Sequence, residues 1–323
     1  MSSPMAMTMR LFAGAADLQA IVDLFNAIEA TDQVGAGTSV AELQDDLDDP
    51  MIDTTRDLVL WEDDSGQLVG LGALWMHPAD QLIEAYFWMC VHPDARGIGL
   101  ERDVIDWGTE RLGEIAAVRK LPARLRLSTR DDNAYLISTF DRNGFQFDRS
   151  FFDMARSLDQ PIDVMPLPEG FTIRPLDGEN ELAAWVETFN LSFIDHWNHH
   201  DMTIERRLHW MKSLDYRPEL DLVAVAPDGT LAAFSYCSIE TANNQRMSVR
   251  DGWVADLGTR RGYRKRGLAR ALLAASLRTL KAAGMDMAKL GVDTQNPNGA
   301  LRLYESVGFQ TVETWLSYVK NVA

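Results

Sequence analysis

The stretch Val254-Ala-Asp-Leu-Gly-Thr-Arg-Arg-Gly-Tyr-Arg-Lys-Arg-Gly-Leu-Ala-Arg-Ala-Leu-Leu273 decides how the chain is read. Val254 to Leu257 is a short apolar strand. Arg264 to Gly267 is a turn whose glycine lets backbone approach a ligand, and Leu268, Leu272, Leu273 and Leu277 recur at helical spacing. A helix that begins at such a turn leaves its first amides without intrahelical partners and directs the positive end of its dipole at whatever lies before Arg264 to Ala269. Arg260, Arg261, Arg264, Lys265, Arg266 and Arg270 add a basic island in a chain of formal net charge -17. Amides and island together predict a polyanion: a pyrophosphate on the backbone, with further phosphate reached by arginine. A solvated helix start has the same local pattern, so the turn alone does not decide function.

Downstream lies Leu290-Gly-Val-Asp-Thr-Gln-Asn-Pro-Asn-Gly-Ala-Leu-Arg-Leu-Tyr-Glu-Ser-Val-Gly-Phe309, which reads as a strand ending near Val292, a polar loop, a helix from about Asn298 and a Gly-Phe stop. The spacing Arg264-x-x-Gly267-x-Ala269 followed by this segment resembles the two signatures of the GNAT superfamily of acetyl-CoA-dependent N-acetyltransferases. These are Arg/Gln-x-x-Gly-x-Gly/Ala, and a loop asparagine ahead of a helix that bears Leu-Tyr and closes with Gly-Phe.

The resemblance implies an α/β fold with a mixed sheet and acetyl-CoA in a cleft, its pyrophosphate on the amides of Arg264, Lys265, Arg266, Gly267, Leu268, Ala269 and Arg270. It also implies that Asn296 meets the cofactor arm, that Tyr304 protonates the departing sulfur, and that Leu257, Gly258 and Thr259 offer backbone groups to the acetyl and pantetheine portions. Asp256 stands where many members carry a glutamate associated with general-base function. Strand alternation puts Asp256 opposite Leu257 and leaves open whether it faces the cleft or solvent.

The same layout occurs earlier, in Val91-His-Pro-Asp-Ala-Arg-Gly-Ile-Gly-Leu-Glu-Arg-Asp-Val104, a helix to about Val118, a strand from Arg124 to Ser128, and a segment ending in Gly144-Phe145. Gly99 precedes Gly267 by 168 positions and Gly144 precedes Gly308 by 164, which reads as an internal duplication. The expected organisation is a tandem of two GNAT domains, 1–156 and 171–323, joined by a proline-containing linker over 157–170. The copies differ where the chemistry belongs. Glu101 replaces the small Ala269 and would crowd and repel a pyrophosphate, and Phe140 replaces Tyr304, although Asn133 matches the loop asparagine. Catalysis is therefore expected in the second copy.

The segment Phe193-Ile-Asp-His-Trp-Asn-His-His-Asp-Met-Thr-Ile-Glu205 holds the remaining candidates. By resemblance it lies over the acceptor end of the cleft. Asp195, His196 and His199 are then the residues for amine recognition or proton relay, while a polar loop capped at Thr203 ahead of a helix remains open as the plain alternative. The imidazoles and carboxylates there lack a recognised ligand frame, so no metal is expected.

The totals agree with this reading. A chain of 323 residues, 46% hydrophobic, accommodates two ordinary domains. Its pI of about 4.7 argues against bulk nucleic-acid or anionic-membrane binding and is compatible with a small-molecule amine. No apolar run of eighteen occurs, and Met1 to Met9 lacks a signal-peptide pattern, so a cytoplasmic protein without a membrane span is expected. Cys90 and Cys237 read as buried free thiols. The expected activity is direct attack of a primary amine on acetyl-CoA. The alternative is a catalytically silent acyl-CoA-binding or sensing protein, against which Tyr304 and Ala269 speak.

Overall fold

A computed structural model describes residues 7–35, 37–79 and 81–322, so the N-terminal stretch read for a signal lies partly outside the described residues. The first copy runs through β1 (Thr8–Leu11), α1 (Leu18–Asp32), α2 (Val40–Leu47), β2 (Leu58–Glu62), β3 (Leu68–Met76), β4 (Ile83–Val91), α3 (Leu100–Arg119), β5 (Ala123–Arg130), α4 (Ala134–Arg142) and β6 (Gln146–Ser157). The second repeats that order as β7 (Thr172–Pro175), α5 (Leu182–Phe193), α6 (Ile204–Lys212), β8 (Asp221–Val225), β9 (Leu231–Ser238), α7 (Thr241–Met247), β10 (Asp251–Thr259), α8 (Leu268–Ala282), β11 (Met287–Asp293), α9 (Ala300–Glu305) and β12 (Gln310–Asn321). The short α7 has no counterpart in the first copy.

Local chemistry explains the elements. Ser39 caps α2 through a capping box: its hydroxyl accepts from the Glu42 amide at 3.3 Å while the Glu42 carboxylate accepts from the Ser39 amide at 2.8 Å. Strand β3 is buried on both faces because helices cover both. Ile21, Leu24 and Phe25 of α1 pack with Leu60, Leu71 and Ala73, and Val104, Ile105 and Leu112 of α3 pack with Val69 and Leu74. Cutting Ile21, which is fully buried, back to alanine would cost about 2–5 kcal/mol.

The compact units do not coincide with the two stretches cut at 156 and 171. One consists of Met1–Arg149 with Trp315–Ala323, the other of Ser150–Thr314. Strand pairing is the reason. Trp315 to Asn321 of β12 run antiparallel to β5, with Trp315 opposite Arg130 and Asn321 opposite Arg124. Phe151 to Ser157 of β6 run antiparallel to β11. Each unit thus takes its sixth strand from the other copy's sequence. In the first unit the Arg126 guanidinium fixes the arrangement by donating to the Ser317 hydroxyl at 2.7 Å.

Both sheets open in the same place. The parallel pairing of β10 with β11 covers only Asp251 to Trp253, and that of β4 with β5 only Ile83 to Tyr86. Beyond these residues the strands part, and each gap leads to a glycine turn and a helix start.

Candidate acetyl-transfer cleft

In the second unit the gap beyond Trp253 is a cleft of about 460 Å³. Its floor is Leu257, Gly258 and Thr259 at the end of β10. Arg264, Lys265 and Gly267 to Arg270 form one wall, Asn296 and Tyr304 another, and Phe193 and His196 the lid side. Gly258 is required by close approach, since a Cβ there would lie 2.4 Å from the Phe234 ring and 2.9 Å from the Ser192 Cβ. Gly267 caps α8 in the left-handed region at φ 86°, and Lys265 adopts φ 61°, so the turn is a tight backbone cradle. The first intrahelical bond at this end reaches the amide of Ala271, which leaves those of Leu268, Ala269 and Arg270 facing the cleft side. The Thr259 hydroxyl oxygen is buried without a hydrogen-bond partner among the described residues. Free amides, basic side chains, the small Ala269 and this orphaned hydroxyl suit an anionic, amide-rich group such as the CoA arm.

Some expected residues lie elsewhere. The Arg264 side chain does not reach for phosphate; it is a strut. Its Nε donates to the Thr259 carbonyl (3.1 Å), Nη2 to the Ser192 carbonyl at the end of α5 (2.7 Å), and Nη1 to Asp195 (2.6 Å) and Asn298 (3.3 Å). Asp195 is held by Arg264 and Arg261 and does not line the cleft; those two arginines keep its carboxyl below the usual range. His199 bonds Asp201 at 3.0 Å and also lies off the cleft, and the Arg266 guanidinium stands 5.5 Å from the centre of the Tyr263 ring. The same strut occurs in the first unit, where Arg96 forks onto Asp32 at the end of α1 with bonds of 2.8 and 2.7 Å. Asp195 therefore has an architectural counterpart, a signal present in the duplicated sequence.

Asp256 reaches its place through a β-bulge. The register of β10 against β9 slips between Val254 and Asp256, so Ala255 is the extra residue and Asp256 stands opposite Tyr236. Burial raises the Asp256 carboxyl to about 6, against the opposing pull of Arg207 and Arg206. Arg207, on α6, is itself fully buried and ion-paired with Asp221, its guanidinium 3.8 Å from the centre of the Trp185 ring. Asp256 is half-buried and does not line the cleft. Its charge is nevertheless felt at Tyr304, whose phenol burial and the field of Asp256 together raise to about 12. Tyr304 is 8% exposed, packs edge-on to Phe309, and its hydroxyl makes no hydrogen bond among the described residues. A neutral phenol on a residue that lines a cleft can give a proton.

The corresponding place in the first unit is filled by the protein. The Glu101 carboxylate accepts from the Gly97 amide at 2.6 Å and from the Tyr135 hydroxyl at 2.9 Å. Gly97 corresponds to Lys265 in both position and left-handed backbone. Counting back from the turn, Trp88 occupies the position of Asp256 and packs on Trp75 with ring centres 4.1 Å apart; no bulge interrupts β4 against β3. Phe140 is buried against Phe145 and Tyr318.

Residues 182–309 match the family described as acetyltransferase (GNAT). Three mycothiol acetyltransferases are similar. That of Thermobispora bispora is 30% identical over 228 residues, 68% of this chain and 71% of that one. That of Frankia casuarinae is 28% identical over 276 residues, 80% and 72% of the two chains. That of Salinispora arenicola is 30% identical over 184 residues, 55% of this chain and 57% of the relative, so there the likeness spans little more than half of the curated protein. Among solved structures, a GCN5-related N-acetyltransferase from Sphaerobacter thermophilus superposes with a TM-score of 0.76 at 24% identity, covering 98% of this chain and 96% of that one. A tandem GNAT protein from the clavulanic acid biosynthesis pathway gives 0.73 at 15% identity, covering 99% of both. At these identities the structures speak for the fold alone. With a layout like that of mycothiol synthase, two copies of the fold and both signatures in the second, the chain belongs to the acetyltransferase (GNAT) family as a tandem N-acetyltransferase.

Proposed function

We propose that the second copy transfers an acetyl group from acetyl-CoA, the family's co-substrate, to a primary amine of a small molecule. The observation that carries this reading is that Tyr304 lines the same cleft as the turn with its unpartnered amides. Lys265 and Arg270 flank those amides, and Leu257 to Thr259 lie where an acyl thioester would run. The amine attacks the thioester carbonyl, the C–N bond forms, the C–S bond breaks, and Tyr304 gives its proton to the sulfur. Asp256 takes a proton released from the nitrogen, through water because it stands behind the cleft wall, and its raised carboxyl is tuned toward neutral pH. No covalent enzyme intermediate is needed. Asn296 supports the cofactor arm. Asp195, held by two arginines, we assign to the architecture of the turn rather than to the amine.

The relatives named mycothiol acetyltransferase support a small-molecule acceptor. No helix among the described residues is long and apolar enough to cross a membrane, and a cytoplasmic enzyme is part of this reading. Calorimetric titration with acetyl-CoA tests it. One equivalent per chain, abolished by Lys265→Glu with Arg270→Glu, is the expected result. No binding would remove the proposal, and binding without acetylation of any amine would favour the silent, sensing alternative.

A further inference from the structure

Acetylating an ammonium removes two protons from its nitrogen: one before attack, to expose the lone pair, and one after the C–N bond has formed. Only one proton is taken up, by the departing sulfur. The nitrogen side of the cleft therefore needs two proton acceptors, one of which resupplies Tyr304, and the reading above names only Asp256.

The lid supplies the other. His196 lines the cleft opposite the turn, while His199 does not. Its Nδ1 lies 2.8 Å from the Trp197 carbonyl oxygen. A carbonyl can only accept, so Nδ1 carries the hydrogen, and in the neutral ring Nε2 then holds a lone pair. The ring is fixed: it stands edge-on to Phe193 with centres 5.5 Å apart, its backbone amide bonds the Phe193 carbonyl at 2.7 Å, and the preceding residue, Asp195, is clamped by Arg261 and Arg264. The charged and titratable groups that line the cleft with it are Tyr263, Arg264, Lys265, Arg270 and Tyr304, and Asp195 with its two arginines adjoins it in the chain. In the first unit the residue after the strut carboxylate is Gln33, whose carbonyl accepts from Arg130 and which offers no base. The imidazole, like the phenol, is present only in the copy that is open.

We propose that His196 accepts, at Nε2, the proton that converts the acceptor's ammonium to a nucleophile, leaving Asp256 the proton released on bond formation. This rests on the acetyl-transfer reading of the cleft. The resulting imidazolium keeps its Nδ1–H on the Trp197 carbonyl, so the proton is received without rearrangement of the lid.

The test has two arms on the full chain. In the first, imidazole ¹⁵N NMR, with the His196 signal identified by its loss in His196→Asn, reports the Nδ1–H form; the Nε2–H form overturns the assignment. In the second, wild type and His196→Asn, which keeps a donor for the Trp197 carbonyl, acetylate ethylamine and 2,2,2-trifluoroethylamine at neutral pH. The variant should lose about 100-fold in kcat/KM with the protonated ethylamine and only a few-fold with the largely unprotonated fluoroamine. Equal losses, or loss of acetyl-CoA binding by calorimetry, would overturn the role. If the wild type acetylates no amine, the acetyl-transfer reading itself falls, and the NMR arm still decides the tautomer.

Discussion

The two copies share one backbone plan and differ in what stands at the mouth of the turn. In the first, the Gly97 amide is bonded to Glu101, the strand position of Asp256 holds Trp88 packed against Trp75, and Phe140 sits in the core. In the second, the corresponding residues are Lys265, Ala269, Asp256 behind a bulge, and a Tyr304 open to the cleft. The first copy carries an internal anion where the second leaves room for an external one. The turn holds a carboxylate in the first copy, and under the proposed function the absence of that side chain leaves the second turn to an external anion.

The comparison breaks first at Tyr304. Tyr304→Phe gives the second copy the ring of the first, and kcat should fall on the order of 100- to 1,000-fold while acetyl-CoA still titrates with unchanged stoichiometry. An unchanged kcat would make the phenol a core residue like Phe140. Next comes Ala269→Glu, which installs the first copy's carboxylate. It should weaken acetyl-CoA about 100-fold by taking an amide and repelling the pyrophosphate, and a Kd within a few-fold of wild type would show that Glu101 is not what closes the first turn.

The converse change is gentler. Glu101→Ala frees the Gly97 amide in a recess of about 420 Å³ that retains Arg96, Arg102 and Arg142, and calorimetry should then detect a second, weaker equivalent of acetyl-CoA. Two equivalents in the wild type would contradict the comparison outright. The smallest effect belongs to Asp256. With the carboxyl raised from 3.8 to about 6, the folded chain binds more protons than the unfolded one between those values, so this group lowers stability as pH rises through that window. Asp256→Asn should recover about 1 kcal/mol at pH 7, allowing for half exposure, with little gain at pH 4. Turnover in the wild type should fall as pH drops below about 6, and the variant, having lost a proton acceptor, should have a lower kcat at neutral pH and lose the part of that limb owed to this carboxyl.

Much of this was legible in the sequence because its causes are local. Alternating or continuous apolar runs bounded by turns fix β3 and β4 to the residue, Ser39 and Glu42 announce a helix start, and glycines at 97, 99 and 267 mark backbone that side chains resist. What escaped depends on partners far away in the chain. Nothing in Gln146 to Ser157 says that it pairs with Met287 to Asp293, and the bulge at Ala255 is a mismatch between two strands that neither carries alone. The segment Thr241-Ala-Asn-Asn-Gln-Arg-Met247 has too few apolar residues to declare a helix. Asp195 differs for another reason: a carboxylate in a lid suggests an amine, whereas the duplicated Asp32–Arg96 pair points to a strut.

The exchanged strands bear on how the protein is made. As the chain emerges from the ribosome, β1 to β5 are complete long before residues 315–321 exist, so the first unit must wait through the synthesis of the whole second copy for its sixth strand. The second unit has β6 in hand before its own sequence begins, and can close as soon as β11 appears. The copy translated last is therefore the first able to complete its sheet. Severing the chain at the proline-containing linker would not yield two independent domains, because each fragment would carry away the strand that the other needs.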